Sequence, residues 1–304
     1  MKLRTLGRTG LAVSEIGFGC GPTGGLMIRG TAAERREAVA CALDLGINYF
    51  DTAPGYGANA SESHLGDTLH ELGAHTVVAT KVALEWDDLE DIAGTVQRSV
   101  EASLKRLRLP ELALIQLHNR IGVQRAAKAP FGTGALLSGA DVLAADGVLE
   151  AFERLRTRGL VRHFGCSAFG GDMGMVRRLI DSDRVDVLTV HYSILNRTAW
   201  RGHAGAAVQD YAAMGRHAAL KNMGTVALRV LEGGAFPASG EAPTVVLNHA
   251  GIDPAEGAIR FVLSNAEVGV ALVGFSNLDQ IREAAGYSSR GPLPRELMNF
   301  IERE

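Results

Sequence analysis

The feature that most limits how this chain can fold is a regular alternation between short apolar runs of strand length and longer segments of helical period. Apolar runs begin at Ile16 and recur at 49–50, 77–81, 112–118, 163–167, 185–192, 225–230 and 269–273. Helix-like segments at 31–45, 61–72, 89–109, 148–157, 173–181, 207–222, 254–265 and 278–285 follow them in turn. In the 89–109 segment Ile92, Val96, Val100, Leu104 and Leu107 recur at spacings of three and four, which is one face of an α-helix. Thr31 suits a helix N-cap, and Gly46 stands where a helix-ending glycine belongs. Eight strand–helix units in series predict an α/β fold, a (β/α)8 TIM barrel. A doubly wound sheet seldom runs through so many parallel strands so regularly.

Residues 3–18 read as two short strands joined through Gly7 and Gly10 ahead of the first barrel strand, an N-terminal β-hairpin cap. The polar segment 294–304 reads as an extra C-terminal helix. Two irregular stretches, 119–147 and 232–252, are too long for ordinary connections and are candidate functional loops. With 304 residues and no break in composition, the chain is expected to be a single barrel domain over 1–304.

Composition excludes several classes of function. A net charge of -3 leaves no basic stripe for nucleic acid and no polybasic membrane patch. No apolar run reaches the roughly 18 residues of a membrane span, and the first ten residues lack a signal core. Cys20, Cys41 and Cys166 are far apart and match no zinc spacing. A cytoplasmic protein with reduced thiols and no structural metal is expected.

The chemistry-bearing residues cluster at strand ends. Residues 46–57 read GINYFDTAPGYG, with Asp51 where the strand stops and Tyr56 in the Gly/Pro loop beyond. Lys81 ends the next strand and His118 the one after that. In a barrel, residues at the C-terminal ends of strands face a common site, so three ionisable groups in series with a nearby phenol point to convergence. The run 19–24 matches GxGxxG literally, yet Pro22 and Gly25 interrupt what a dinucleotide fingerprint needs as a helix start. It reads instead as a flexible loop at the barrel mouth.

Asp51, Tyr56, Lys81 and His118 at these strand ends make the chain resemble the aldo-keto reductase superfamily. DTAPGYG, SESHLG, VVATK, LALIQLHN and GLVRHFGCSAF carry the resemblance along nearly the whole chain. It implies a barrel with a nicotinamide cofactor across its C-terminal mouth and reversible carbonyl–alcohol conversion by hydride transfer. Hydride arriving at a carbonyl carbon leaves an alkoxide, so a proton donor must stand at the oxygen. Tyr56 takes that role, and Lys81 is expected to lower its pKa, an ammonium about 4 Å away contributing roughly 4 kcal/mol at effective dielectric 20. Asp51 would keep Lys81 charged and oriented, and His118 would orient the carbonyl oxygen.

The same resemblance marks Gly19, Asp51, Ser167, Thr189, Leu228, Arg229, Gly274, Ser276, Asn277 and Gln280 as candidate cofactor contacts. Several depart from the usual pattern. Ala168 replaces an Asn, Thr189 a Gln, and Leu228 an aromatic that stacks on the nicotinamide. Arg229 is either a pyrophosphate ligand or a surface charge. At the adenosine end Gln280 replaces a frequent Arg and Asp279 adds negative charge. NADPH is the expected cofactor, with NADH as the alternative, and Asn277 is either a ligand or a helix cap. Tyr56, His118 and Trp86 are the candidate substrate contacts. The expected activity is interconversion of an aldehyde or ketone with its alcohol by a monomer. The alternatives are an NAD-dependent sugar (aldose) dehydrogenase and a non-catalytic cofactor-binding sensor subunit.

Overall fold

A computed structural model describes residues 1–129, 132–202, 209–237 and 241–303. Its centre is a closed barrel of eight parallel strands: β3 (Ile16–Gly19), β4 (Tyr49–Asp51), β5 (Val77–Val82), β6 (Leu112–Leu117), β9 (Val161–Ser167), β10 (Val187–His191), β11 (Gly224–Leu228) and β12 (Val270–Gly274). They follow one another around the ring in that order, with β12 closing onto β3. The (β/α)8 fold expected from the alternation is the fold observed.

The hairpin β1 (Leu3–Thr5) and β2 (Ala12–Ser14) pairs antiparallel ahead of the barrel. Leu6 and Val13 are fully buried against Tyr49, Ala79, Leu114, Val187, Val226 and Val270 inside the barrel. Gly7 sits so close to the start of β11 that a Cβ there would lie 2.2 Å from the Gly224 nitrogen. The hairpin therefore seals the end where the strands begin.

Helices cover the outside, their ends set by local chemistry. Thr31 and Glu34 form a reciprocal capping box that starts α2 (Ala32–Asp44), and the chain turns out through Gly46 at φ +83°. The 89–109 expectation resolves into a 3-10 turn, Asp87–Glu90, and α4 (Ile92–Leu107). Asp91 caps α4 through Gly94 N–H at 2.9 Å, and all five periodic apolar residues are buried. The other connecting helices are α3 (Ala60–Glu71), α6 (Val148–Thr157), α7 (Met173–Asp181), α9 (Met214–Leu220), α11 (Pro254–Ser264) and α12 (Leu278–Ser289), and two one-turn helices, α1 (Leu26–Arg29) and α8 (Thr198–Arg201), lie in the connections. A terminal helix, α13 (Arg295–Ile301), follows them.

Differences from expectation lie in the connections. Of the helix expected over 207–222, residues 207 and 208 lie outside the described residues, and the described helix begins only at Met214. The 119–147 stretch holds a short parallel pair, β7 (Ile121–Gly122) with β8 (Leu137–Ser138), and α5 (Gly139–Leu143). The 232–252 stretch holds α10 (Ala242–His249). Residues 130–131, 238–240 and 304 of these expectations also lie outside the described residues. The glycine-rich 19–24 run is tied down rather than loose: Gly25 N–H donates to Gly21 O at 3.1 Å and Leu26 N–H to Phe275 O at 3.3 Å. Gly24 lies against the backbone after β12, where a Cβ would fall 2.2 Å from the Phe275 nitrogen.

Candidate active site

The site follows from strand alternation. Side chains two residues apart on a strand share a face. Tyr49, Ala79, Leu114, Val187, Val226 and Val270 form an apolar layer inside the barrel. Moving two residues on along the same strands gives Asp51, Lys81, Gln116, Thr189, Leu228 and Leu272, and β9 and β3 add Ser167 and Gly19. The step of two thus converts an apolar plug into a floor that is polar on β4, β5, β6, β9 and β10 and apolar on β11 and β12. All of these except Gln116 line one cavity of about 670 Å³, together with Tyr56 and His118.

Asp51, Lys81, Gln116 and Thr189 are almost completely buried, so their polar groups must find partners within the protein. They do. Lys81 Nζ donates to Asp51 Oδ1 in a short ion pair and to Thr52 O at 2.8 Å. Gln116 Nε2 donates to Asp51 Oδ2 at 3.0 Å, and Thr189 Oγ1 donates to Gln116 Oε1 at 2.6 Å. Both carboxylate oxygens of Asp51 are therefore engaged. The Lys81 ammonium lies 4.8 Å from the centre of the Tyr56 ring, and the His118 ring stands perpendicular to that ring at 6.0 Å between centroids.

The electrostatics depart from expectation at one point. Burial opposes the Lys81 charge, but Asp51 and Tyr56 outweigh it and hold the ammonium above its ordinary pKa. Burial also pushes the Tyr56 phenol above its ordinary value, and the opposing pull of Lys81 does not overcome it. The expected lowering is reversed because burial outweighs the pull of the ammonium, and the nearby Asp51 charge raises the phenol further. Tyr56 consequently keeps its proton at neutral pH. His118 is pulled down to about 3, first by burial and then by the charge of Lys81, and is a neutral imidazole.

Residues 15–303 of this chain match a model of the Aldo/keto reductase family. The chain belongs to the aldo/keto reductase family. Among relatives, pyridoxal 4-dehydrogenase of Microbacterium luteolum is 29% identical over 227 residues, 64% of this chain and 64% of that protein. L-galactose dehydrogenase of Arabidopsis thaliana is 40% identical over 125 residues, 39% of this chain and 38% of that protein. The matched segments span less than two thirds of these relatives' lengths. An aldo-keto reductase from Bacillus halodurans in its holo form superposes with a TM-score of 0.76 at 23% identity, covering 100% of this chain and 96% of that one. One from Klebsiella pneumoniae in complex with NADPH gives 0.74 at 20% identity, covering 99% and 94%. At these identities the likeness to solved structures is one of fold.

Within this aldo/keto reductase barrel the cavity is lined by Gly19, Asp51, Tyr56, Lys81, His118, Ser167, Thr189, Leu228, Arg229, Gly274, Ser276 and Gln280. Two sequence candidates fall outside its lining. Asn277 is the N-cap of α12, its side chain accepting from Gln280 N–H at 3.0 Å. Trp86 stands 47% exposed where the 3-10 turn begins, so it does not wall the pocket. Gln280 folds back onto the helix start and accepts from Ser276 N–H at 2.8 Å, while Arg282 pairs with Asp279 at 3.0 Å. Residues that sequence reasoning missed include Gln116, Arg120, Phe169 and Glu283. The first three were within reach of the alternation: Gln116 and Arg120 lie two residues either side of His118, and Phe169 lies two beyond Ser167.

A nicotinamide dinucleotide fits this donor set. The cavity runs from Tyr56, Lys81 and His118 to the start of α12, glycines at 19, 21, 24 and 274 line it, and a helix N-terminus closes the far end. Ser167 and Thr189 supply polar groups and Leu228 an apolar surface where the ring would lie. Among the described residues no helix is long and apolar enough to cross a membrane.

Proposed function

We propose that the chain reduces aldehydes or ketones with NADPH, and runs the reverse alcohol oxidation, with Tyr56 as the proton donor. The observation that carries this reading is the convergence of Tyr56, His118 and the buried Lys81–Asp51 pair on one cavity. The bound dinucleotide supplies the hydride. Gly19, Ser167, Thr189, Leu228, Arg229, Gly274, Ser276 and Gln280 are the residues that would hold it. The NADPH assignment draws on the Klebsiella pneumoniae neighbour, which is in complex with that cofactor.

Each protein group then has one task. His118, neutral, offers a hydrogen bond that orients the carbonyl oxygen toward Tyr56 without adding a second cation. Tyr56 holds its proton at that oxygen and gives it up as negative charge develops there. Lys81 stabilises the phenolate that remains, and Asp51 keeps Lys81 protonated and fixed. Because burial keeps the phenol protonated, the site at neutral pH is set for reduction, whereas alcohol oxidation needs the phenolate and so favours high pH.

A second reading, an NAD-dependent sugar dehydrogenase, draws on the likeness to L-galactose dehydrogenase and on the α12 start, whose nearby base Arg282 is paired with Asp279. Fluorescence titration with NADPH and NADH decides between the cofactors. Turnover of an aromatic aldehyde, measured beside Tyr56→Phe, tests the reaction. Binding without Tyr56-dependent turnover of aldehydes, ketones or sugars in either direction would remove the enzymatic reading and favour a sensor role.

A further inference from the structure

We propose that Asn119 is a positioning residue whose buried side-chain amide fixes the Gly132–Thr133 wall of the cavity beside His118, and so limits the bulk of the aldehydes and ketones that fit. The inference rests on the reductase reading above and names the residue that governs size selection at that same site.

The first argument is where the cavity leaves room. The residues assigned to the dinucleotide stand at or just beyond the ends of β9, β10, β11, β12 and β3, one continuous arc of the ring. The arc of β4, β5 and β6 is left to the substrate, and there Tyr56, Lys81, His118, Gly132 and Thr133 line the cavity. Gly132 and Thr133 belong to the connection after β6. A carbonyl compound held at His118 therefore has that segment as its wall.

The second argument is how that segment is held. The β5–β6 ladder ends where Val82 faces Leu117, and His118 N–H continues it by one backbone rung, donating to Val82 O at 2.8 Å. Beyond that rung the Asn119 side chain takes over the pairing. Its Oδ1 accepts from Leu84 N–H at 2.8 Å, and its Nδ2 donates to Leu84 O at 2.8 Å. Nδ2 also donates to Ala135 O at 2.9 Å, and Ala135 N–H donates to Leu84 O at 2.9 Å. A side-chain amide offers the same donor and acceptor as a peptide group, so Asn119 joins the continuation of β5 to the segment behind the wall. The reverse orientation would set its oxygen against two carbonyls, which fixes the amide as it stands.

Burial makes this joint a demanding one. Leu84 is fully buried and Asn119 is 1% exposed, so each of these groups must be satisfied within the protein. Gly134 packs directly on the joint at φ +74°, and a Cβ there would lie 2.3 Å from Leu84 O and 2.7 Å from Asn119 Nδ2. Only glycine lets the segment come this close in this conformation. Thr133 and Gly132 are the two residues before it, and Asn119 directly follows His118. One side chain therefore holds both the wall and the strand end that carries the imidazole. Breaking the joint frees the wall to move outward and leaves His118 less firmly placed.

The test compares benzaldehyde with 4-phenylbenzaldehyde, two uncharged aldehydes that differ in bulk, on the full-length chain with NADPH. The unaltered chain should prefer benzaldehyde in kcat/KM by about 10-fold or more, the order of selection that one pocket wall supplies. Asn119→Leu, close in volume but without donor or acceptor, should lower kcat for benzaldehyde by about 10–100-fold, the cost of a small misplacement at the reacting atoms. It should also bring the preference close to one, while the dinucleotide Kd read by fluorescence stays unchanged. Gly134→Ala should do the same from the other side of the joint. In the double variant the two effects should not add, because both break one contact. A lower Tm with the preference unmoved in both variants is the mark of a merely structural role and overturns the proposal. Equal use of the two aldehydes by the unaltered chain also overturns it, and either result leaves the reductase reading in place. Turnover of neither aldehyde by the unaltered chain defeats the reductase reading and this inference together. Should both variants fail to fold, the preference of the unaltered chain decides.

Discussion

Gln116 donates its side-chain amide to the second carboxylate oxygen of Asp51 at 3.0 Å, while Lys81 engages the first. This bond makes the Lys81–Asp51 ion pair part of a chain that crosses the barrel floor to Thr189. Asp51 can rotate only if two buried bonds break. In the proposed reaction Gln116 is a positioning residue, acting on the reacting atoms through Asp51 and Lys81.

Replacing it by methionine, Gln116→Met, should leave Asp51 Oδ2 without a donor and the Thr189 hydroxyl without its acceptor. Each orphaned buried group costs about 1–3 kcal/mol. Thermal unfolding should report the loss as a lower Tm, and kcat should fall while the dinucleotide Kd changes little. An unchanged Tm with unchanged kcat would show that the chain of bonds is incidental.

Tyr56→Phe should lower the rate of aldehyde reduction by about 10²–10⁴, the usual value of a positioned acid. Dinucleotide affinity, read by fluorescence, should survive because the phenol hydroxyl is assigned to the substrate oxygen. Near-normal turnover would take the proton-donor role away from Tyr56.

The pH profile of reduction should lack an inflection near 6.5, because His118 titrates at about 3 rather than at the ordinary imidazole value of 6.5. Activity should fall only at alkaline pH, where the raised Tyr56 phenol loses its proton. Stability carries the converse signature. The unfolded chain protonates His118 near 6.5 and the folded chain only near 3, so the stability this residue contributes is present above 6.5 and lost as pH falls between those values. Unfolding curves for the unaltered chain and His118→Asn should converge as pH drops through that window. Parallel pH dependences in the two proteins would refute the assignment.

Gln280→Arg should move cofactor preference toward NADPH. The present side chain accepts from Ser276 N–H at the start of α12, and the substitution puts a cation where a 2′-phosphate is assigned. The ratio of the two Kd values, from paired titrations, should shift by roughly ten-fold or more, the effect of one charge-assisted hydrogen bond. An unmoved ratio would mean that the adenosine end lies elsewhere.

Much of this architecture was legible in the sequence because strands and helices carry different hydrophobic periods. The barrel, the hairpin, the α4 face and the strand-end positions of Asp51, Lys81 and His118 follow from those periods. Connections were less legible, since α5 and α10 are short helices within irregular stretches that have no long apolar face. Asn277 and Trp86 were left undecided by the sequence for a different reason. A cap and a ligand need the same residue types, and a lone Trp after a strand does not reveal whether it turns inward. The direction at the Tyr56 phenol differed because burial, whose size only the folded chain supplies, outweighs the pull of Lys81, and the Asp51 charge adds to it.

The step of two between the apolar plug and the floor also makes strand length a protected quantity. One residue inserted in β4 between Tyr49 and Asp51, or in β5 between Ala79 and Lys81, would turn the downstream side chain from the lumen to the helical shell. The same insertion in a mouth loop would shift nothing on the strands. Variation in this barrel should accordingly accumulate as loop length, with the counting inside each strand held constant even where the residues themselves drift.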